Sequence, residues 1–438
     1  MKLWSKRALK RIAITFGLLV GTALVINGVL AWRAQHRLDA IVAKLRAAGE
    51  PASLADIRPK PIPPEKNAAV HLQRISKDLN EFEKEYEKFY QTPLGEELDK
   101  RSESVPGIGW AQPNAEQLTA IRSIVDAHPQ ILHALQEAAA CGEYGSVLDF
   151  SPPPSQFLER VMKDCTKPRE LARYVAWKMA TLMADGESDE AIRLGVQMLR
   201  LTRLWNHEPL LINSLVGVAI RGIMFESINV ALRQGQHSTE LLHALDVELA
   251  LHDSLKPLAL ALCTERAFSI PYVQEQTGVV SAFVRWPMLN FFLGELSVED
   301  EAYAIAKLPL NQMHLKWDPT NKVSTPTELI GLQSRLTGPA IVAAFSSHFR
   351  CLTQARCLRV FNALEEYHQR TGRDADSVSQ LSLPRESAID PYSEKPLLLK
   401  KTDRGWIVYS VGMKGIDNGG KLESQGNEGF APPDYRQD

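Results

Sequence analysis

The sequence predicts a mainly α-helical protein: an N-terminal transmembrane helix, an ectodomain of α-helical hairpins, and a small C-terminal α+β module. Three observations predict it. Residues Ile12 to Trp32 form an apolar run without a formal charge; apolar residues then recur at spacings of three and four through most of the ectodomain; and after about Ala355 a helix gives way to two short strand-like runs separated by turn residues. Composition sets the frame. With 438 residues, 45% hydrophobic and 23% charged, the chain is globular and long enough for two or three domains. Its 50 Lys+Arg against 52 Asp+Glu leave a net charge of -2, so no basic field for nucleic acid exists.

At about 1.5 Å per residue, Ile12 to Trp32 gives a helix of roughly 31 Å, the thickness of a hydrocarbon core of about 30 Å. The run reads as the one membrane span of the chain. A cleaved signal peptide is the alternative, with Val29 and Ala31 as small residues before a cleavage site, but the apolar part of a signal is usually about 7 to 15 residues. Lys2, Lys6, Arg7, Lys10 and Arg11 precede the span; Arg33, Arg37, Lys44 and Arg46 follow it, with Asp39 among them. The short basic tail favours an inside amino terminus and places the bulk of the chain on the extracytoplasmic, periplasmic side. Gly17 and Gly21 have the small-xxx-small spacing of a homodimer contact, and Asn27 either bonds across such a dimer or is tolerated near the far interface.

The chain divides into the tail and anchor (1–32), a helical extension and Pro-rich linker (33–66), an α-helical ectodomain (67–350) and the α+β module (351–438). Leu38, Ile41, Val42 and Leu45 continue the membrane helix outward until Gly49 and Pro51 stop it. Pro51, Pro59, Pro61, Pro63 and Pro64 then predict a stiff spacer between body and bilayer. Leu72, Ile75, Leu79, Phe82, Tyr86 and Phe89 step along one amphipathic helix, while Gly95, Pro106, Gly107, Gly109 and Pro113 mark a loop. Asn114 with Gln117 forms a capping box, and Pro129 should kink the helix that follows. Beyond Pro152-Pro153-Pro154, Pro168 opens a helix ended by Asp185-Gly186, Ser188 caps the next, Pro209 begins a strongly apolar one ended by Gly235, and Ser238 starts a fourth. Ala176, Gly186 and Ala191 give one tetratricopeptide-like hairpin, without a repeated period. From Pro271 to Pro339 the pattern loosens, and Trp286, Phe291, Phe292 and Trp317 read as core.

Catalytic signatures are sparse. None of the eleven histidines falls in HExxH, and GxSxG, GxxxxGK[ST] and GxGxxG do not occur. His348 and Cys351 stand three apart on one helix, and Glu265-Arg266 reads either as an ion pair or as part of a polar pocket. Cys141, Cys165, Cys263, Cys351 and Cys357 show no zinc spacing; Cys141 and Cys165 could bridge the Pro-rich loop between them, but buried thiols are the favoured reading.

Toward the C terminus come a helix containing Tyr367 and Thr371-Gly372, then Asp390-Pro391-Tyr392 with Pro396, a strand over Leu397 to Lys401, a turn at Thr402 to Gly405, and a strand ending Tyr409-Ser410-Val411-Gly412 before Gly415, Gly419 and Gly420. In order and spacing, these residues resemble the globular domain of the type II secretion major pseudopilin, over about 80 residues. The resemblance implies a calcium site in the glycine-rich loop, with side-chain oxygens from Asp417 and Asn418 and a carbonyl from Ser410. Lys414 stands where the family carries an aspartate, and the amino terminus has neither the family's processing site nor its glutamate, so assembly into a pilus-like filament is not expected. The expectation is a single-pass, membrane-anchored scaffold that binds an envelope or secretion protein; the alternative is an envelope hydrolase with its site in the helical ectodomain.

Overall fold

The computed structural model describes residues 6–103, 111–145, 148–278, 280, 283–310, 312–313, 338–422 and 426–433. The loop at Pro106 to Gly109, Trp317 and the start of the basic tail therefore lie outside the described residues. Helix α1 (Lys6–Ala47) is one unbroken rod of 42 residues, about 63 Å long at 1.5 Å per residue. Its character changes along its length. Phe16, Leu18, Leu19 and Val25 are each more than 60% exposed, whereas Ala31, Ala34, Leu38 and Leu45 are buried against Ile270, Val273, Leu289 and Leu296. A left-handed Gly49 (φ 70°) ends the outer turn, where the Glu50 amide reaches back to the Leu45 carbonyl.

Two expectations change here. The Pro-rich stretch does not hold the body away from α1: Ala52 and Leu54 are buried, and the Ala52 amide donates to Asp56 at 3.0 Å. The amphipathic helix is two helices, α2 (Ala68–Arg74) and α3 (Ser76–Tyr90), separated at Ile75, yet its apolar residues still share one core. After α4 (Pro93–Glu103), the Asn114–Gln117 capping box opens α5 (Ala115–Asp126) as expected. Pro129 starts a new helix, α6 (Pro129–Ala140), instead of kinking the old one, because a proline without an N–H fits the first turn.

Antiparallel helices make the centre: α7 (Pro154–Asp164), α8 (Lys167–Ala184), α9 (Ser188–Trp205), α10 (Leu211–Leu232) and α11 (Thr239–Leu251). Gly186 (φ 80°) ends the first expected hairpin helix, and the Ser238 hydroxyl accepts the Leu241 amide at the start of α11. Helix α10 is long and apolar enough to span a membrane, but most of it is buried. It also carries the buried polar residues Asn213, Ser214, Arg221 and Asn229, so it serves as the core helix of the body. Then come α12 (Lys256–Gly278), α13 (Arg285–Ala306) and α14 (Gly338–Thr371), the last about 51 Å long at 1.5 Å per residue.

The expected boundary at residue 350 falls inside α14, and the core runs across it. Cys351, Leu358 and Phe361 share one cluster with Val408 and Phe430 of the sheet and with α8 to α11. Arginines on α14 make the polar part of that junction: Arg359 donates to Asp246 at 2.9 Å and Arg356 to Asp253 at 2.8 Å, both on or just after α11. The sheet is antiparallel in the order β1 (Leu398–Thr402), β2 (Gly405–Ser410), β3 (Glu428–Phe430). A Cβ at Gly429 would lie 2.0 Å from the Val408 carbonyl, so glycine alone permits β3 to close on β2.

Candidate functional site

A cleft of about 170 Å³ lies between α2, the α7–α8 junction and the loop joining α9 to α10. Apolar stripes of three helices meet there because Leu72, Leu171 and Val161 face inward at helical spacing. Tyr144 and Trp205 pack edge to face at 5.2 Å in its wall, and the Trp205 indole N–H donates to the Asn213 carbonyl at 3.1 Å. The α9–α10 loop is strained. Leu210 has φ 76° and ψ 145°, a region that costs a branched residue about 1–3 kcal/mol, and it is held there by its amide donating to Thr264 Oγ1 and by the Leu211 amide donating to Glu265. Buried Glu208 and Asn213 flank it in the cleft.

Charge enters at one side. Asp164 and Glu208 lie near the Tyr144 phenol, whose pKa burial and then these carboxylates push well above its usual value, so the ring remains a neutral hydrogen-bonding group. Burial likewise raises the Cys165 thiol, and its Sγ points at the Met162 carbonyl at 3.3 Å; this is a packing cysteine, not a nucleophile. The Lys167 ammonium, which also lines the cleft, is tied to Glu170 at 3.1 Å. An aromatic, largely apolar wall with a few carboxylate and amide groups suits a hydrophobic or aromatic side chain flanked by a polar or basic group.

The residues singled out in the sequence are placed elsewhere. His348 and Cys351 do not pair: His348 Nε2 meets Ser214 Oγ at 2.8 Å, its Nδ1 meets the Ala344 carbonyl at 2.8 Å, and Cys351 accepts from Arg221 Nε at 3.1 Å. Ser214, His348 and a carbonyl form the outline of a nucleophile relay, but both side chains are 3% exposed, and burial followed by Arg221 holds the imidazole down at about 3. Glu265 and Arg266 diverge. Glu265 accepts the Leu211 amide, whereas Arg266, 1% exposed, pairs with Glu50 and Asp300 at 2.5 Å each and lies 4.8 Å from the Tyr303 ring centre. All five cysteines are free, so Cys141 and Cys165 form no bridge; Cys141 Sγ instead approaches the Glu137 carbonyl at 3.5 Å.

The residues expected to bind calcium make hydrogen bonds within the module. Ser410 is fully buried in β2 and donates to Asp390 at 2.7 Å; Asp417 Oδ1 accepts from the Tyr409 hydroxyl at 3.1 Å and the Gly419 amide at 2.8 Å; the Asn418 amide is held by Asn427 Oδ1 at 2.9 Å. No group of three or more His, Cys, Asp or Glu suited to a metal exists among the described residues. Of the oxygens expected to bind calcium, Asp417 Oδ1 is therefore engaged in tying the loop, while the bonds of Ser410 and Asn418 are made by their hydroxyl and backbone N–H.

Sequence reasoning missed the cleft. Its wall comes from four separated segments, 69–79, 144–148, 161–171 and 205–213, and its one local signal, the Pro209 break, reads as an ordinary helix start. No family model matches the chain, and no curated protein or solved structure matches it.

Proposed function

We propose that the protein is a single-pass, membrane-anchored scaffold of the cell envelope, its body extracytoplasmic, and that the α2–α8 cleft takes an apolar or aromatic side chain of a partner protein. The observation that carries this reading is the abrupt change along α1. No residue of the apolar run from Ile12 to Ile26 is buried, and the same rod is then built into the body from Ala31 onward. The pseudopilin-like ending, with its helix, hairpin and glycine-rich loop, supports a place among envelope or secretion components by resemblance only. The hydrolase alternative gains residues but no access: the Ser214–His348 pair is enclosed.

The test uses full-length chain in detergent extracts. Ser76, at the cleft, is replaced by a larger residue in Ser76→Trp. A protein enriched by the native chain over a control keeping Ile12 to Trp32 but lacking the body, and lost with Ser76→Trp, is the expected result. Equal enrichment by both body-containing chains would remove the cleft from the account; no enrichment over the control would remove the scaffold.

A further inference from the structure

Helix α13 runs parallel to α1 and in register with it. Asn27 Nδ2 donates to the Phe283 carbonyl at 2.8 Å, and near the opposite ends Lys307 Nζ donates to Glu50 at 3.4 Å; the sequence offsets are 256 and 257 residues. Between these bonds Leu289 and Leu296 pack in one cluster with Ala31, Ala34, Leu38 and Leu45. Residues Phe283 to Met288 therefore lie at the level of Asn27 to Trp32, inside the apolar run and up to about 7.5 Å below its outer end at 1.5 Å per residue.

The side chains there suit that depth. Phe283 is 55% and Val284 45% exposed, an uncommon investment of apolar surface at the tip of a hairpin, and Arg285 and Trp286 follow directly. On α1, Trp32 at 63% exposure and Arg33 repeat the same pairing of an aromatic and a cation, the combination that settles at a lipid interface. The Asn27 amide points to the same conclusion. A carboxamide within a span is costly unless bonded; one N–H of Asn27 is taken by the Phe283 carbonyl, while its Oδ1 is out of contact with solvent and unpaired.

We infer that the start of α13, Phe283 to Trp286, is a second, shallow membrane contact: Phe283 and Val284 enter the acyl chains of the leaflet on the body's side, with Arg285 and the half-buried Trp286, which packs on the α1–α13 cluster, at the headgroups. The inference rests on the reading of Ile12 to Trp32 as a span. Two anchoring points on one rod and one hairpin would fix the body's orientation against the bilayer, where a lone helix would leave it free to swivel.

Full-length chain carrying one added cysteine is labelled with an environment-sensitive fluorophore and reconstituted in phosphatidylcholine–phosphatidylglycerol vesicles containing lipid-borne nitroxide quenchers at two depths. The native thiols are all buried, which makes the added one selective. Phe283→Cys and Val284→Cys report the hairpin, Val25→Cys the span, and Ile416→Cys an exposed apolar residue outside the α1–α13 pair. Quenching several-fold stronger at 283 and 284 than at 416, and strongest by the shallow quencher, together with quenching at 25 by the deep one, is expected. Quenching at 25 with 283 and 284 no different from 416 would overturn the hairpin contact and leave the span standing. Absence of quenching at 25, whatever the hairpin does, would overturn the span and this inference with it.

Discussion

Asp390 is 1% exposed and accepts from the Tyr392 amide at 2.9 Å, the Ser393 hydroxyl at 2.9 Å, the Ser410 hydroxyl at 2.7 Å and the Val411 amide at 3.1 Å. One carboxylate thus joins the Asp390-Pro391-Tyr392 turn to the end of β2. Gly412 completes the joint, since its φ is 64° and a Cβ would sit 1.8 Å from the Gly426 carbonyl. Replacing Asp390 by Ala strands buried donors and is expected to cost about 3 kcal/mol of stability, read as a lower urea midpoint, with Asp390→Asn in between. An unchanged midpoint for Asp390→Ala would show that the latch carries no load. These motif residues stood out in the sequence because their types are unusual and close together. That Ser410 bonds to Asp390 was not legible, because it depends on a contact between residues 20 apart in the chain.

Helix boundaries followed from local chemistry at several single residues: the capping box at Asn114, the left-handed Gly186 and the Ser238 cap fall where expected, whereas Ser188 is the first residue of α9 and its side chain does not cap it. They failed where neighbours decide. The break at Ile75 has no glycine or proline, and β3 is three residues long with Gly429 at its centre, too short for a periodic signal. The α12–α13 pair carries a consequence that only packing creates. Glu299 keeps some surface, but its Oε2 is out of contact with solvent and unpaired, while Ser269 donates to Oε1 at 2.9 Å. Burial, then repulsion from Glu265, pushes its carboxyl up to about 8 from the ordinary 4.5. The folded chain therefore holds a proton that the unfolded chain releases above about 4.5. Its contribution to stability is complete below that pH and is lost as the pH rises toward 8. Glu299→Gln should leave the melting temperature nearly unchanged near pH 5 and raise it relative to the native chain above pH 8. Parallel melting curves for the two proteins from pH 5 to 9 would contradict a neutral Glu299.

At the scale of the whole chain, the apolar run and the helical body are one unit. The α1 rod, α13 and the Arg266 ion pairs to Glu50 and Asp300 join the apolar run to the helical body without a break in the helix. Composition and periodicity made the run and the helical body legible, whereas the parallel packing of α13 on α1 was hidden in a region whose apolar pattern follows no single face. The central claim is that the run crosses the bilayer and is retained. It is tested most directly by alkaline carbonate extraction of membranes from cells expressing the chain with different tags at its two ends. Both tags on one full-length species in the membrane pellet is the predicted result. The carboxy-terminal tag in the supernatant, on a species shortened at or near Ala31, would contradict it.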